Sequence, residues 1–283
     1  MNGYPKKVYL NGKILDHKDA KISVFDRGFI FGDGIYEVMT QVNGDFFYAD
    51  AHLERLSDCL QKVNIDFDVN SLLNDIKRLR KVSDLEFKDC LVYIQVTRGI
   101  APRKHAYPKE VTPTVMMYIM PFELPEINQK HIKAVTTLDY RWGRCDIKMT
   151  SLLGNVMVNE YAMKHGAYEA ILIREGIITE ASHCNVFFTK NNIVYTHPSN
   201  NFILDGITRQ IVIQLCHDLG IEIRQEAVKE QDIFLMDEVF LTGTTTQIVS
   251  VQQINEYSFY KGNNTGPITK KLQEAFLALK KQK

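Results

Sequence analysis

The sequence predicts an α+β protein of two domains. Its 283 residues leave room for two medium-sized domains, each with a buried core. Apolar patterns of strand period and of helix period mix in both halves without strict strand–helix–strand alternation. Between the halves, Pro121-Phe122-Glu123-Leu124-Pro125-Glu126 places two prolines in a short polar stretch. The domains are therefore expected over 1–120 and 128–283, with 121–127 as the linker.

The first element is a hairpin over Val8–Leu15, because Asn11-Gly12 between apolar residues is a strong short-turn signal. Gly34–Val42 reads as a strand, followed by a turn at Asn43-Gly44-Asp45 and a further short strand. His52–Val63 reads as a helix, with Leu53, Leu56, Leu60 and Val63 on one stripe, and a second helix is expected over Ser71–Val82. Asp89–Arg98 and Thr114–Met120 read as strands; the latter is nearly all apolar and is expected to be buried on both faces. Beyond the linker, strands are expected at Ile132–Thr137, Tyr168–Ile173 and, after a turn at Glu175-Gly176, Ile177–Thr179. Asn185–Thr189 and Ile193–Thr196 form a hairpin over Asn191-Asn192. Helices are expected at Ser151–His165 and Thr208–Leu219, each ended by a glycine, and at Ile268–Lys281. Ile221–Glu226 and Glu238–Thr242 complete the strands.

Composition narrows the function classes. Lys+Arg and Asp+Glu both number 34, so there is no bulk charge for a nucleic acid partner. No apolar run is long enough for a membrane span, and Met1–Lys7 carries no apolar signal core. The five cysteines are scattered without a CxxC pair, which reads as free thiols in a reducing cytoplasm. The eight histidines are equally scattered, so no metal site is expected.

Three segments carry chemistry. Lys148 lies between Arg144-Cys145-Asp146-Ile147 and the apolar Leu152-Leu153. A lone lysine is ordinarily a solvated surface group, but burial or a neighbouring cation frees its amine to attack a carbonyl. Glu180 follows a turn and a strand, Glu175-Gly176-Ile177-Ile178-Thr179. Alone it is a strand-end carboxylate in water; beside a pyridine nitrogen it would keep that nitrogen protonated. Gly206-Ile207-Thr208 opens an amphipathic helix whose free N–H groups favour a phosphate, although Thr208 also suits a plain N-cap. Arg55 offers a guanidinium for the same phosphate, and Thr242-Gly243-Thr244-Thr245-Thr246 offers hydroxyls. An amine, an acid and a phosphate cradle together suit pyridoxal 5′-phosphate.

The order and wording of these segments resemble the fold-type IV aminotransferases, most closely their D-amino acid (D-alanine) branch. The resemblance covers nearly the whole chain. It runs from Asp26-Arg27-Gly28 and Phe31-Gly32-Asp33-Gly34-Ile35-Tyr36-Glu37, through His52-Leu53-Glu54-Arg55, Arg144–Lys148, Thr179-Glu180 and Asn185-Val186-Phe187, to Tyr195–Pro198, Gly206–Arg209 and Thr244-Thr245. It implies the two-domain fold of that family, with the second domain carrying Lys148 as the Schiff-base lysine. It implies Glu180 as the partner of the pyridine nitrogen, Leu204 against the cofactor ring, and Arg55, Ile207, Thr208 and Thr244 around the phosphate. Arg103-Lys104-His105 looks like the carboxylate trap of the D-amino acid branch, in which Tyr36, Arg103 and His105 grip the substrate α-carboxylate. It further implies a homodimer, with the arginine and histidine reaching the neighbouring subunit's site.

The implied activity is that of a cytoplasmic D-amino acid:2-oxoacid aminotransferase with ping-pong kinetics. Its rivals are a branched-chain L-aminotransferase or an aminodeoxychorismate lyase of the same fold, and a non-catalytic binding protein. The Arg103/His105 pair speaks against the first two, and an intact Lys148 and Glu180 against the third. The chain departs from the family wording at Ser151, where asparagine is common, at Ala181, His183 and Cys184, in a run usually rich in glycine and serine, and at Gly243, where serine is common. None of these removes the lysine–glutamate pair.

Overall fold

The computed structural model describes residues 3–128, 131–260 and 264–281. The outer ends of the expected domains, residues 1–2 and 282–283, lie outside the described residues. The chain divides into two units: Met1–Glu123 with Ile147–Ser151, and Leu124–Asp146 with Leu152–Gln282. The division at 123/124 falls within the expected linker. The segment carrying Lys148, however, groups with the first unit rather than the second. Backbone pairing explains this. The Tyr36 N–H donates to Lys148 O at 3.0 Å, and the Thr150 N–H donates to Gly34 O at 2.9 Å.

The first unit contains β1 (Lys7–Leu10), β2 (Lys13–Asp16), α1 (Arg27–Phe31), β3 (Gly34–Val42), β4 (Asp45–Phe46), α2 (Ala49–Lys62), α3 (Leu72–Val82), β5 (Cys90–Thr97) and β6 (Thr114–Pro121). Its six-stranded antiparallel sheet runs β2-β1-β6-β5-β3-β4. The β1–β2 turn forms at Asn11-Gly12 as expected. Both residues take positive φ (47° and 86°), the mirror-image turn whose twist matches paired strands. One face of the sheet is core: Ile35, Met39, Val92, Ile94, Val96, Met117 and Ile119 pack with Leu56 and Leu60 of α2 and Leu72, Ile76 and Leu79 of α3. Strand period 2 and helix period 3.6 thus meet on one apolar layer. β6 is not buried on both faces. Val115, Met117 and Ile119 are buried while Met116, Tyr118 and Met120 are half-buried. On that second face Tyr36, Tyr93 and Tyr118 stack in a row, with ring centroids 5.7 and 4.9 Å apart.

The second unit contains β7 (His131–Leu138), α4 (Leu153–Lys164), β8 (Glu169–Arg174), β9 (Ile177–Ala181), β10 (Asn185–Lys190), β11 (Ile193–Thr196), α5 (Ile207–Asp218), β12 (Ile223–Arg224), β13 (Glu238–Gly243), β14 (Gln247–Ile254), β15 (Tyr257–Ser258) and α6 (Pro267–Lys281). Its nine-stranded sheet runs β12-β11-β10-β13-β14-β7-β8-β9, with β15 on β14. The sheet is mixed, since β14–β7, β7–β8 and β11–β12 pair in parallel. Ile132, Ile171, Val186, Phe188, Leu241, Val249 and Val251 build its core. Phe187 and Phe240 stack on the opposite face at 4.9 Å. The strand expected over Ile221–Glu226 shrinks to two residues. β14, α1 and a 3-10 turn at Glu230–Leu235 were not anticipated.

Candidate active site

In the first unit, residues 35, 37 and 39 of β3 share one face, so Glu37 points into the apolar core with Ile35 and Met39 and is fully buried. A buried carboxylate needs partners. α2 supplies them from positions three apart on one helix face. Arg55 donates from Nε and Nη2 to the two oxygens at 2.9 and 2.7 Å, and His52 Nδ1 lies 2.9 Å from Oε1. Burial alone would raise the Glu37 carboxyl; Arg55 and His52 outweigh it and hold the group well below the usual carboxylate range. Burial pushes His52 down, which keeps the imidazole neutral and makes Nδ1–H the donor to Glu37.

Lys148 is half-buried in a backbone segment laid along β3, where Ile35 bridges Met149. Its Nζ lies 4.2 Å from the centroid of the Tyr36 ring, so the ammonium faces an aromatic surface. Arg103 and His105 are exposed on the loop after β5. Arg27, itself tied to Asp33 at 2.7 Å, anchors that loop by donating to Lys104 O at 2.6 Å. The Arg103 guanidinium and the His105 ring flank the same Phe31 ring, at 5.3 and 5.6 Å. Arg103 and His105 are thus brought together, whereas Tyr36 neighbours Tyr93 and Lys148. Among the described residues no hydrogen bond joins Tyr36 to Arg103 or His105.

In the second unit, Glu180 on β9 is caged. Arg141 Nη1 donates to Oε1 at 2.6 Å, and Asn185 Nδ2 and the Leu204 N–H donate to Oε2 at 3.2 and 3.0 Å. Arg141 is itself held by Asp139, at 2.9 and 3.0 Å, and Asp139 accepts from the Thr179 hydroxyl at 3.0 Å. Burial pushes the Glu180 carboxyl up to about 7, with Arg141 pulling the other way. Asn185 also donates to Leu204 O at 2.8 Å, which fixes the Leu204 backbone beside Glu180.

α5 starts immediately beyond. Gly206 is its N-cap and offers no side chain, so no capping group covers the helix start at Ile207 and Thr208. Thr208 is therefore not the N-cap. A Cβ at 206 would collide with Asn185 Oδ1, on an amide already held by Glu180 and Leu204, which favours glycine there. Thr244 is half-buried in the β13–β14 turn, and α5 packs on β13. A helix N-terminus, a small-residue N-cap and a hydroxyl turn make an anion site chemically reasonable in this unit.

Arg141, Asp139, Glu37 and His52 were missed from sequence. Their signal was weak: Glu37 within a strand, His52 within a helix and Asp139 and Arg141 after a strand read as isolated polar residues until the fold shows them paired and buried.

The family model described as amino-transferase class IV matches residues 34–254. The chain is 41% identical over 272 residues to the D-alanine aminotransferase of Bacillus licheniformis, covering 95% of each chain. It is 38% identical over 274 residues to the D-alanine aminotransferase of Staphylococcus haemolyticus, covering 95% of this chain and 96% of that one. Among solved structures it resembles the branched-chain amino acid aminotransferase of Escherichia coli, with TM-score 0.89, 23% identity and coverage of 98% and 95%. It also resembles that of Thermoproteus uzoniensis, with TM-score 0.86, 24% identity and the same coverage. At that identity the structural likeness speaks for the fold.

Proposed function

The chain belongs to the class IV aminotransferases, and on that premise we propose that it is a D-amino acid:2-oxoacid aminotransferase of the D-alanine transaminase type, using pyridoxal 5′-phosphate. The observation that carries the cofactor assignment is the caged Glu180. A buried carboxylate fixed by a guanidinium, an amide and a backbone N–H is pre-organised to hold a protonated ring nitrogen. The rest of the donor set fits as well, since the helix start after Gly206 has no side-chain cap and suits a phosphate. The near full-length identity to D-alanine aminotransferases favours the D-amino acid branch over the branched-chain one.

When bound, the cofactor supplies an electron sink for the substrate α-carbon. Lys148 would hold it through the side-chain amine, and the same amine is the group placed to take up and return the substrate α-proton. Glu180 would keep the ring nitrogen protonated, and Arg141 favours the ionised form of Glu180 that this role needs. Arg55, Ile207, Thr208 and Thr244 would hold the phosphate, and Glu37 sets the orientation of Arg55. Leu204 would pack against the ring. Tyr36, Arg103 and His105 bind the α-carboxylate, and the exposure of Arg103 and His105 suits a homodimer in which they serve the neighbouring subunit. Amino acid enters and oxoacid leaves before the second oxoacid binds, so the kinetics are ping-pong. Five free cysteines and no described helix long and apolar enough to cross a membrane agree with work in the cytoplasm.

The test is amino transfer to 2-oxoglutarate from D-alanine, L-alanine and L-leucine, with chiral analysis of the glutamate formed. Transfer from D-alanine giving D-glutamate is expected. Preference for L-leucine would move the chain to the branched-chain reading.

A further inference from the structure

The turn between β9 and β10 holds a cluster that the proposed transamination does not use. Its residues come from two places in the sequence: Glu169 opens β8, while Ser182, His183 and Cys184 form the turn. Glu169 is completely buried. Its Oε1 is saturated, accepting the Ala170 N–H and the Ser182 N–H at 3.0 Å each and the Ser182 hydroxyl. Its Oε2 is buried and has no hydrogen-bond partner among the described residues, and it lies 2.7 Å from His183 Nδ1. Cys184 is buried, and its sulfur reaches Thr246 Oγ1 at 3.3 Å. The ligand atoms of Glu169, His183 and Cys184 all lie within 4.8 Å of one another. The His183 side chain is 47% exposed, which gives an ion and a water a route to the cluster.

We propose that Glu169, His183 and Cys184 form a binding site for a borderline divalent cation of the zinc type. One oxygen, one nitrogen and one sulfur ligand select zinc over magnesium or calcium, which take oxygen sets. The charges close: a carboxylate and a thiolate balance the ion, and the imidazole binds neutral. Binding releases the Cys184 proton to solvent, together with any second imidazole proton. The side chains move apart slightly to admit the ion between Oε2 and the ring. With three protein ligands and an exposed side, the fourth position takes water. The hydrogen bonds on Oε1 hold the carboxylate still, as outer partners of a ligand do. The site was invisible in the scattered histidines and cysteines because its third ligand lies a strand away. Its place has a consequence, since Glu180 precedes this turn on β9 and Asn185 follows Cys184 directly. An ion here stiffens both flanks.

The experiment is equilibrium dialysis of the cofactor-loaded protein against zinc chloride, followed by zinc X-ray absorption. One ion per chain is expected, with a single sulfur neighbour at about 2.3 Å. His183→Gln should weaken binding by at least about 10-fold, and Cys184→Ser should lose the sulfur neighbour and weaken binding similarly. Circular dichroism and cofactor content serve as folding controls, because neither residue is assigned to the transamination. Absence of stoichiometric zinc, a shell without sulfur, or equal affinity in His183→Gln would overturn the proposal.

Discussion

Glu37→Gln tests how the buried ion pair under the first sheet works. The substitution keeps size and shape but removes a charge from a fully buried position, while Arg55 stays at 12% side-chain exposure. Removing one member of a buried pair costs about 3–5 kcal/mol, and the amide oxygen, still able to accept one hydrogen bond from the guanidinium, restores roughly 1–2 of that. The expected loss is about 1–4 kcal/mol, read from urea unfolding at neutral pH. Its pH dependence has a fixed sign. Glu37 is held below the usual carboxylate range, so its stabilisation is fully present above an unfolded-state pKa of about 4.3 and disappears as pH falls through the folded-state value. The difference between wild type and variant should be flat near neutrality and shrink only in acid. Glu37→Met combined with Arg55→Met should lose less than the sum of the single changes, since neither charge is then stranded. A neutral-pH loss below about 1 kcal/mol, in the range of an exposed pair, or strictly additive double variants, would refute the reasoning.

Three further outcomes are expected. Arg141→Gln removes the cation that pulls Glu180 down, so its carboxyl should rise above about 7 and the acid limb of the transamination pH profile should move to higher pH; an unmoved limb counts against the pairing. Gly206→Ala drives a Cβ into Asn185 Oδ1 and should cost about 1–3 kcal/mol while loosening cofactor retention on dialysis; unchanged retention would separate the helix start from the phosphate. Arg103→Ala should reduce kcat/KM for D-alanine by about 2–5 kcal/mol at unchanged cofactor content and spare an amine without a carboxylate; equal losses for both would remove Arg103 from the carboxylate trap.

Local signals made much of the fold readable. Asn11-Gly12 marks its hairpin because few residues tolerate positive φ, and the stripe of Leu53, Leu56 and Leu60 marks α2 because a helix must bury one face. β14 escaped notice because Gln247, Ser250, Gln252 and Gln253 dilute its apolar pattern, although Ser250 and Gln247 are buried. The Lys148 segment groups with the first unit through a non-local pairing with β3, which sequence distance from the linker does not show. In the same way Lys148 and Glu180 were readable as motifs, but the Arg141–Asp139 support behind Glu180 and the Glu37–His52 support behind Arg55 were not. Such partners are chosen by burial, which sequence shows only as an isolated charge. The Glu169–His183–Cys184 cluster was hidden for the same reason.

The most direct measurement is single-turnover amino transfer from D-alanine in Lys148→Ala beside wild type, with bound cofactor quantified in both and borohydride used to fix cofactor to protein. Wild type should convert its cofactor within one turnover and carry the reduced cofactor on the peptide containing Lys148. The variant should bind cofactor without fixation and show almost no transfer. Near-native transfer in Lys148→Ala, or fixation to a different lysine in wild type, would contradict the assignment of the chemistry to Lys148.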